Sequence, residues 1–215
     1  MDASSLNLAR RFFLKASVAM TGLAFGYPAL AAKRALQKDP HIEALIAKMS
    51  LEEKAGQLSL FPAPGIDRRV TPDLAADAGF RAVADQVARG GVTGFFNGDD
   101  MGIAIALQKA AVERSRHGIP LIFACDILHG IKTTYPVPVG EAASFDADLC
   151  YRTARAAAIE GTALGFHWTL APMVDVARDQ RWGRVVEGAG EDSWLGSRIA
   201  AARVRGFQGR GLRAE

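Results

Sequence analysis

The chain has 215 residues, of which 49% are hydrophobic, 23% charged and 8% aromatic, the proportions of a globular protein rather than a disordered tail or a fibrous chain. Lys and Arg total 26 against 23 Asp and Glu, and the net charge of +3 falls to +1 when Arg10, Arg11, Lys15 and Asp2 of the first fifteen residues are set aside. A balance so near neutral argues against a nucleic-acid partner. The two cysteines, Cys125 and Cys150, have neither CxxC nor Cys/His spacing and exclude a disulfide scaffold and a zinc site.

The first element is a processing segment. Asn7 to Lys15 read NLARRFFLK, an apolar stretch follows from Ala16 to Ala31, and Ala29-Leu30-Ala31 ends it as a small-x-small cleavage site. Paired arginines ahead of Phe13-Leu14-Lys15 resemble a twin-arginine export signal, so residues 1–31 are expected to be a removable leader and residues 32–215 the mature chain, periplasmic or secreted. The competing reading is a retained anchor, against which Thr21, Gly22, Gly26 and Pro28 count.

Ile42, Leu45, Ile46 and Met49 recur at helical spacing, and Ser50 before Glu52 and Glu53 caps a second helix running toward Leu58. Asp73 to Arg89 is predicted as an amphipathic helix stopped by Gly90-Gly91. A strand is predicted at Val92 to Phe96 and a helix from Ile103 to His117. The apolar run Leu121 to Cys125 is a second strand that breaks at Asp126. Ala147 to Leu164 reads as a helix, Phe166 to Leu170 with Val174 and Val176 as a third strand region, and Gly196 to Phe207 as a final helix.

Three strands buried on both faces and separated by helices imply an α/β fold with a parallel sheet. The glycines of Gly90-Gly91-Val92-Thr93-Gly94 precede a strand instead of following one, which argues against a dinucleotide site. A (β/α)8 barrel takes about 250 residues. The mature chain has room for about half its strands, so the expected fold is the N-terminal part of a TIM-like barrel, truncated before closure.

In parallel α/β proteins chemistry collects at the carboxyl ends of strands. Two clusters stand there: Asp126-Ile127-Leu128-His129-Gly130, and the run from Asp175 through Asp179, Arg181, Trp182 and Arg184 to Glu187, Glu191 and Asp192. Carboxylates beside an arginine fork and an indole suit a sugar, whose hydroxyls donate to carboxylates and whose apolar face packs on a ring. The residues alone leave other readings open. Asp126 fits a loop cap, His129 a structural loop histidine, and Arg184 with Glu187 a local ion pair. Trp182 and Trp194 fit packing positions, a metal between Asp126 and His129 lacks further ligands, and Cys125 fits a buried strand position.

The segments IEALIAKMSLEEKAGQL, GIPLIFACDILHG, TYPVPVGEAASFDADL and APMVDVARDQRWGRVVEGAGEDSWLGS, closing with VRGFQG, resemble the N-terminal barrel domain of family 3 glycoside hydrolases, in particular the bacterial periplasmic β-glucosidase type. The likeness runs from about His41 to Gly211, and RWGRxxEGxxED is its most specific string; Gln180 stands where the family usually has proline. The resemblance implies that Asp126 binds hydroxyls of the nonreducing-end glucose, that Arg184 reaches the same sugar, that Glu187 positions Arg184, and that His129 shapes the pocket.

Family members are retaining exo-glycosidases whose nucleophile and acid/base carboxylates lie about 5 to 5.5 Å apart. The resemblance places both, with a Lys-His substrate motif, beyond Glu215, so no catalytic residue is expected within this chain. The implied activity is release of glucose from β-glucosides or short β-glucans without metal or cofactor, with the 215-residue chain inactive alone. The alternatives are a β-xylosidase of the same family and a non-catalytic sugar-binding module or one assembled with a partner, a separately encoded C-terminal half. Export also leaves open a disulfide between Cys125 and Cys150.

Overall fold

The computed structural model describes residues 39–66, 69, 73–98 and 100–209. The expected leader, residues 1–31, lies outside them. The chain divides into two compact units, Met1–Lys48 and Met49–Glu215. In the first, the described element is helix α1 (Pro40–Lys48), none of whose residues is buried.

The second unit begins with α2 (Leu51–Gly56). Its start is fixed by a reciprocal capping box, in which the Ser50 hydroxyl accepts from the Glu53 backbone N–H and the Glu53 carboxylate accepts from the Ser50 N–H. The chain then lays down β1 (Leu60–Pro62), α3 (Ala78–Ala88), β2 (Gly94–Phe96) and α4 (Met101–Lys109), which continues as a π-helical turn through Arg114. Next come β3 (Ile122–Cys125), the short α5 (Pro138–Ala142), α6 (Ala147–Ala163), β4 (Trp168–Thr169), a 3-10 turn (Val185–Glu187) and α7 (Ser193–Gln208). Among the described residues no helix is long and apolar enough to cross a membrane.

The four strands form one parallel sheet in the order β1-β2-β3-β4. Gly94 is the tight point of this ladder: a Cβ there would stand 1.8 Å from the Ile122 carbonyl oxygen. Phe95 of β2 is buried with Phe80, Ala84 and Val87 of α3 and with Ile103 and Leu107 of α4, which places the main apolar core between the sheet and those two helices. A smaller cluster joins Ala142 of α5, Cys150 of α6 and Ile199 of α7, with Ala189 and Leu195 packed on it. Helices α6 and α7 touch closely at Gly206, where an added Cβ would lie 2.5 Å from the Tyr151 carbonyl oxygen.

Several boundaries differ from the sequence expectation, each for a local reason. Helix α3 starts at Ala78, not Asp73, because the Asp77 carboxylate accepts from the Phe80 N–H at 2.6 Å, while Asp73 to Ala76 close a turn. Helix α4 starts earlier than Ile103, at Met101, because Asp100 accepts from the N–H groups of Gly102 and Ile103. The third strand region shrinks to Trp168–Thr169; Pro172, joined to Ala171 by a cis peptide, has no N–H for a ladder, and Val174 is exposed. Strand β1 lies just beyond the helix expected to run toward Leu58, in a stretch with no predicted element, so the sheet has four described strands instead of three. Cys125 and Cys150 are thiols and not a disulfide, and Cys150 is completely buried.

Candidate functional site

The carboxyl ends of β2 and β3 hold the pair at the centre of the site. Asn97 follows β2 and Asp126 follows β3. The Asn97 amide donates to Asp126 Oδ2 at 2.6 Å, while the Asp126 backbone N–H donates to Asn97 Oδ1 at 2.9 Å. This two-way clasp fixes both the backbone and the carboxylate of Asp126, yet leaves Asp126 exposed to a ligand. Asn97 adopts φ 57°, a left-handed conformation that Asn tolerates better than most residues.

Sequence reading passed over Asn97. The signal was present, since it is the first polar residue after an apolar strand, the same rule that singled out Asp126.

Beyond Asp126 the chain turns tightly. The His129 carbonyl accepts from the Tyr135 N–H at 2.8 Å, and Gly130 at φ 99° bridges to Thr134. A Cβ on Gly130 would stand 1.9 Å from the Thr133 carbonyl oxygen, so glycine is required. Glu160 of α6 holds the far side of the turn by accepting from the Thr133 N–H at 3.1 Å and from the Thr133 hydroxyl at 3.2 Å. His129 is half-buried within this turn, and its Nδ1 is buried without a hydrogen-bond partner among the described residues.

The segment after β4 brings the second cluster alongside. Arg184 Nε donates to both Glu187 oxygens at 3.0 Å and its Nη2 to Oε2 at 2.6 Å. Glu187 raises the Arg184 pKa, and the charges of Asp126 and Asp175 add to that rise; in return Arg184 holds the Glu187 carboxyl below its ordinary range. Arg184 therefore lies within the field of Asp126, although the two residues follow different strands. Arg181 and Asp179 form a separate, exposed pair, in which the arginine lowers the aspartate's pKa. Trp182 and Trp194 are not packed away: they are 38% and 71% exposed.

A cavity of about 640 Å³ opens beside Asn97, walled by Phe95, Phe123, Ile103 and Leu107 and by the segment from Ala63 to Ile66. It lies on the helix-packed side of the sheet, and neither Asp126 nor Arg184 lines it. Among the described residues no three His, Cys, Asp or Glu side chains are grouped to hold a metal ion. An oriented carboxylate follows β3 and, in the segment after β4, a charged guanidinium fork feels its charge, a pair suited to a neutral polyhydroxylated ligand.

Residues 50–214 match the model of the glycosyl hydrolase family 3 N-terminal domain. The chain is 36% identical over 173 residues to a periplasmic beta-glucosidase of Salmonella typhimurium, covering 80% of this chain and 21% of that protein. It is 37% identical over 115 residues to a beta-xylosidase of Formosa agariphila, covering 49% of this chain and 16% of that protein. Among solved structures, a beta-glucosidase from Listeria innocua in complex with isofagomine matches with a TM-score of 0.65 at 30% identity, over 81% of this chain and 23% of that one. The chain thus spans about a quarter or less of the length of these relatives.

Proposed function

This chain belongs to glycosyl hydrolase family 3 through its N-terminal domain, and from that premise we propose that it is the part of a retaining exo-β-glucosidase that grips the nonreducing-end glucose. Its parallel sheet of four strands in chain order is part of that family's TIM-barrel-type domain. The observation that carries the reading is the exposed Asp126 carboxylate, clasped by Asn97 at the end of β3 and lying in the same field as Arg184. In this role Asp126 accepts hydrogen bonds from vicinal sugar hydroxyls, Arg184 donates to the same ring, Glu187 keeps the Arg184 fork in place, and the turn at His129 shapes the pocket wall.

Catalysis by such a grip is differential binding. Hydrogen bonds to the ring hydroxyls accelerate cleavage only to the extent that they strengthen as the sugar flattens toward the oxocarbenium-like transition state. The reacting carboxylates are then supplied by parts of the enzyme other than these residues. Asp179 and Glu187, two of the acids nearest in sequence to the Arg184 turn, are each engaged by an arginine. The 215-residue chain alone is expected to turn over no substrate, and the paired arginines at Arg10-Arg11 fit a periplasmic destination.

The beta-xylosidase among the relatives keeps β-xylosides as the second reading. The test is hydrolysis of p-nitrophenyl β-glucoside and β-xyloside by the protein expressed with its complete reading frame. Glucoside preference, together with a loss of about 100-fold or more in kcat/KM for Asp126→Ala, supports the assignment. Near-wild-type activity of Asp126→Ala would sink it.

A further inference from the structure

A buried ion pair lies beneath the site. Arg203 of α7 is 3% exposed and Glu141 of α5 is 2% exposed, and Arg203 Nη1 donates to Glu141 Oε2 at 2.5 Å. Ala142, next to Glu141 in the chain, forms a buried apolar cluster with Cys150 and Ile199. Burying two such charges costs more desolvation than their attraction readily returns, and an apolar pair would pack α5 on α7 at least as well. The arginine supplies something an apolar residue cannot: its Nη2 donates to the backbone carbonyl of Leu128, two residues beyond Asp126.

The other end of the pair leads to the second half of the site. Helix α5, which carries Glu141, packs against the turn Val185–Glu187 that follows directly on Arg184. One buried ion pair thus stands between the loop that carries Asp126 and the turn that carries Arg184. The far side of the Asp126 loop is held by Glu160 at Thr133 and Asp126 itself by Asn97, while Arg203 holds the Leu128 carbonyl between them.

We propose that Glu141 and Arg203 are positioning residues that set the placement of Asp126 relative to Arg184, through the Leu128 carbonyl on one side and the packing of α5 on the Arg184 turn on the other. The proposal rests on the reading of Asp126 and Arg184 as sugar-binding residues. Neither member of the pair touches the sugar in this account, and their effect on turnover passes entirely through the loop.

The test uses the double variant Glu141→Leu with Arg203→Met, which removes both charges together and strands neither in the interior. Two readouts are taken. In the 215-residue chain, hydrogen exchange of the amides from Ile127 to Gly130 should accelerate about tenfold or more, while the α3 amides remain unchanged. In the protein expressed with its complete reading frame, kcat/KM on p-nitrophenyl β-glucoside should fall about 10- to 100-fold, more through kcat than KM, with cooperative thermal unfolding retained.

Wild-type exchange and kcat/KM within about twofold of wild type would overturn the proposal. If the double variant does not fold, Arg203→Lys takes its place, because one ammonium at the end of a flexible stem cannot reproduce the fork that spans Glu141 and Leu128; the same two readouts decide. Asp126→Ala, measured in parallel, separates the two ideas. If Asp126→Ala leaves activity near wild type, the sugar-binding reading fails, and the exchange result alone judges whether the pair holds the loop.

Discussion

Replacing Asn97 by glycine probes the clasp on Asp126 without disturbing the backbone, because Asn97 sits at φ 57°, where glycine is unstrained and alanine is not. The change deletes a neutral hydrogen bond of 2.9 Å and a charge-assisted one of 2.6 Å. The first contributes about 1 kcal/mol. The second, about 1.5 to 3 kcal/mol when dry, falls to about 1 kcal/mol at an exposed carboxylate. Together they amount to about 2 kcal/mol, or about 30-fold in kcat/KM, if Asp126 must be oriented before the transition state forms.

The assay is p-nitrophenyl β-glucoside hydrolysis by the protein with its complete reading frame, for the two single variants and the double. Because Asn97 acts only through Asp126, Asn97→Gly combined with Asp126→Ala should lose no more than Asp126→Ala alone. A single variant within about twofold of wild type, or losses that multiply in the double variant, would refute the reasoning.

Three further outcomes are expected. Gly206→Ala places a Cβ 2.5 Å from the Tyr151 carbonyl oxygen and should push α7 from α6, lowering stability by about 1 to 3 kcal/mol in urea unfolding. The Glu53 carboxyl is held at about 2, chiefly by Arg116, with the Ser50 N–H and His117 contributing. Since its folded pKa lies below its unfolded one, this stabilisation is complete above about 4.5 and is lost as the pH falls toward about 2, so Glu53→Gln should flatten the acid limb of the unfolding curve between those values. Arg184→Ala breaks a surface pair with Glu187, so it should leave the urea unfolding midpoint close to wild type. It should nevertheless lower kcat/KM on the glucoside by about 100-fold, and a parallel loss of both would mark Arg184 as merely structural.

Where the chain states a local rule, the sequence was readable. Ser50 and Gly90 punctuate elements as their chemistry demands, and the run that breaks at Asp126 is a strand end in the structure. Strand β1 was missed because three residues ending in Pro62 carry no alternation to detect. Helix α5 was missed because five residues opening with Pro138 inside a proline-rich stretch show no period. Asn97 was legible by the rule that found Asp126. The Glu141–Arg203 pair was not, because two charged residues 62 positions apart look like ordinary surface until folding buries them together.

The strand order has a consequence for how such a chain is made. Leu60 pairs with Gly94, Gly94 with Ile122, and Ala124 with Trp168, so each strand after the first docks on its predecessor in the chain. A polypeptide emerging from the ribosome amino end first always has its next docking surface already synthesised, and no early strand waits for a distant one. The same order lets the sheet grow by appending units at the β4 edge, without prising apart any pairing made before.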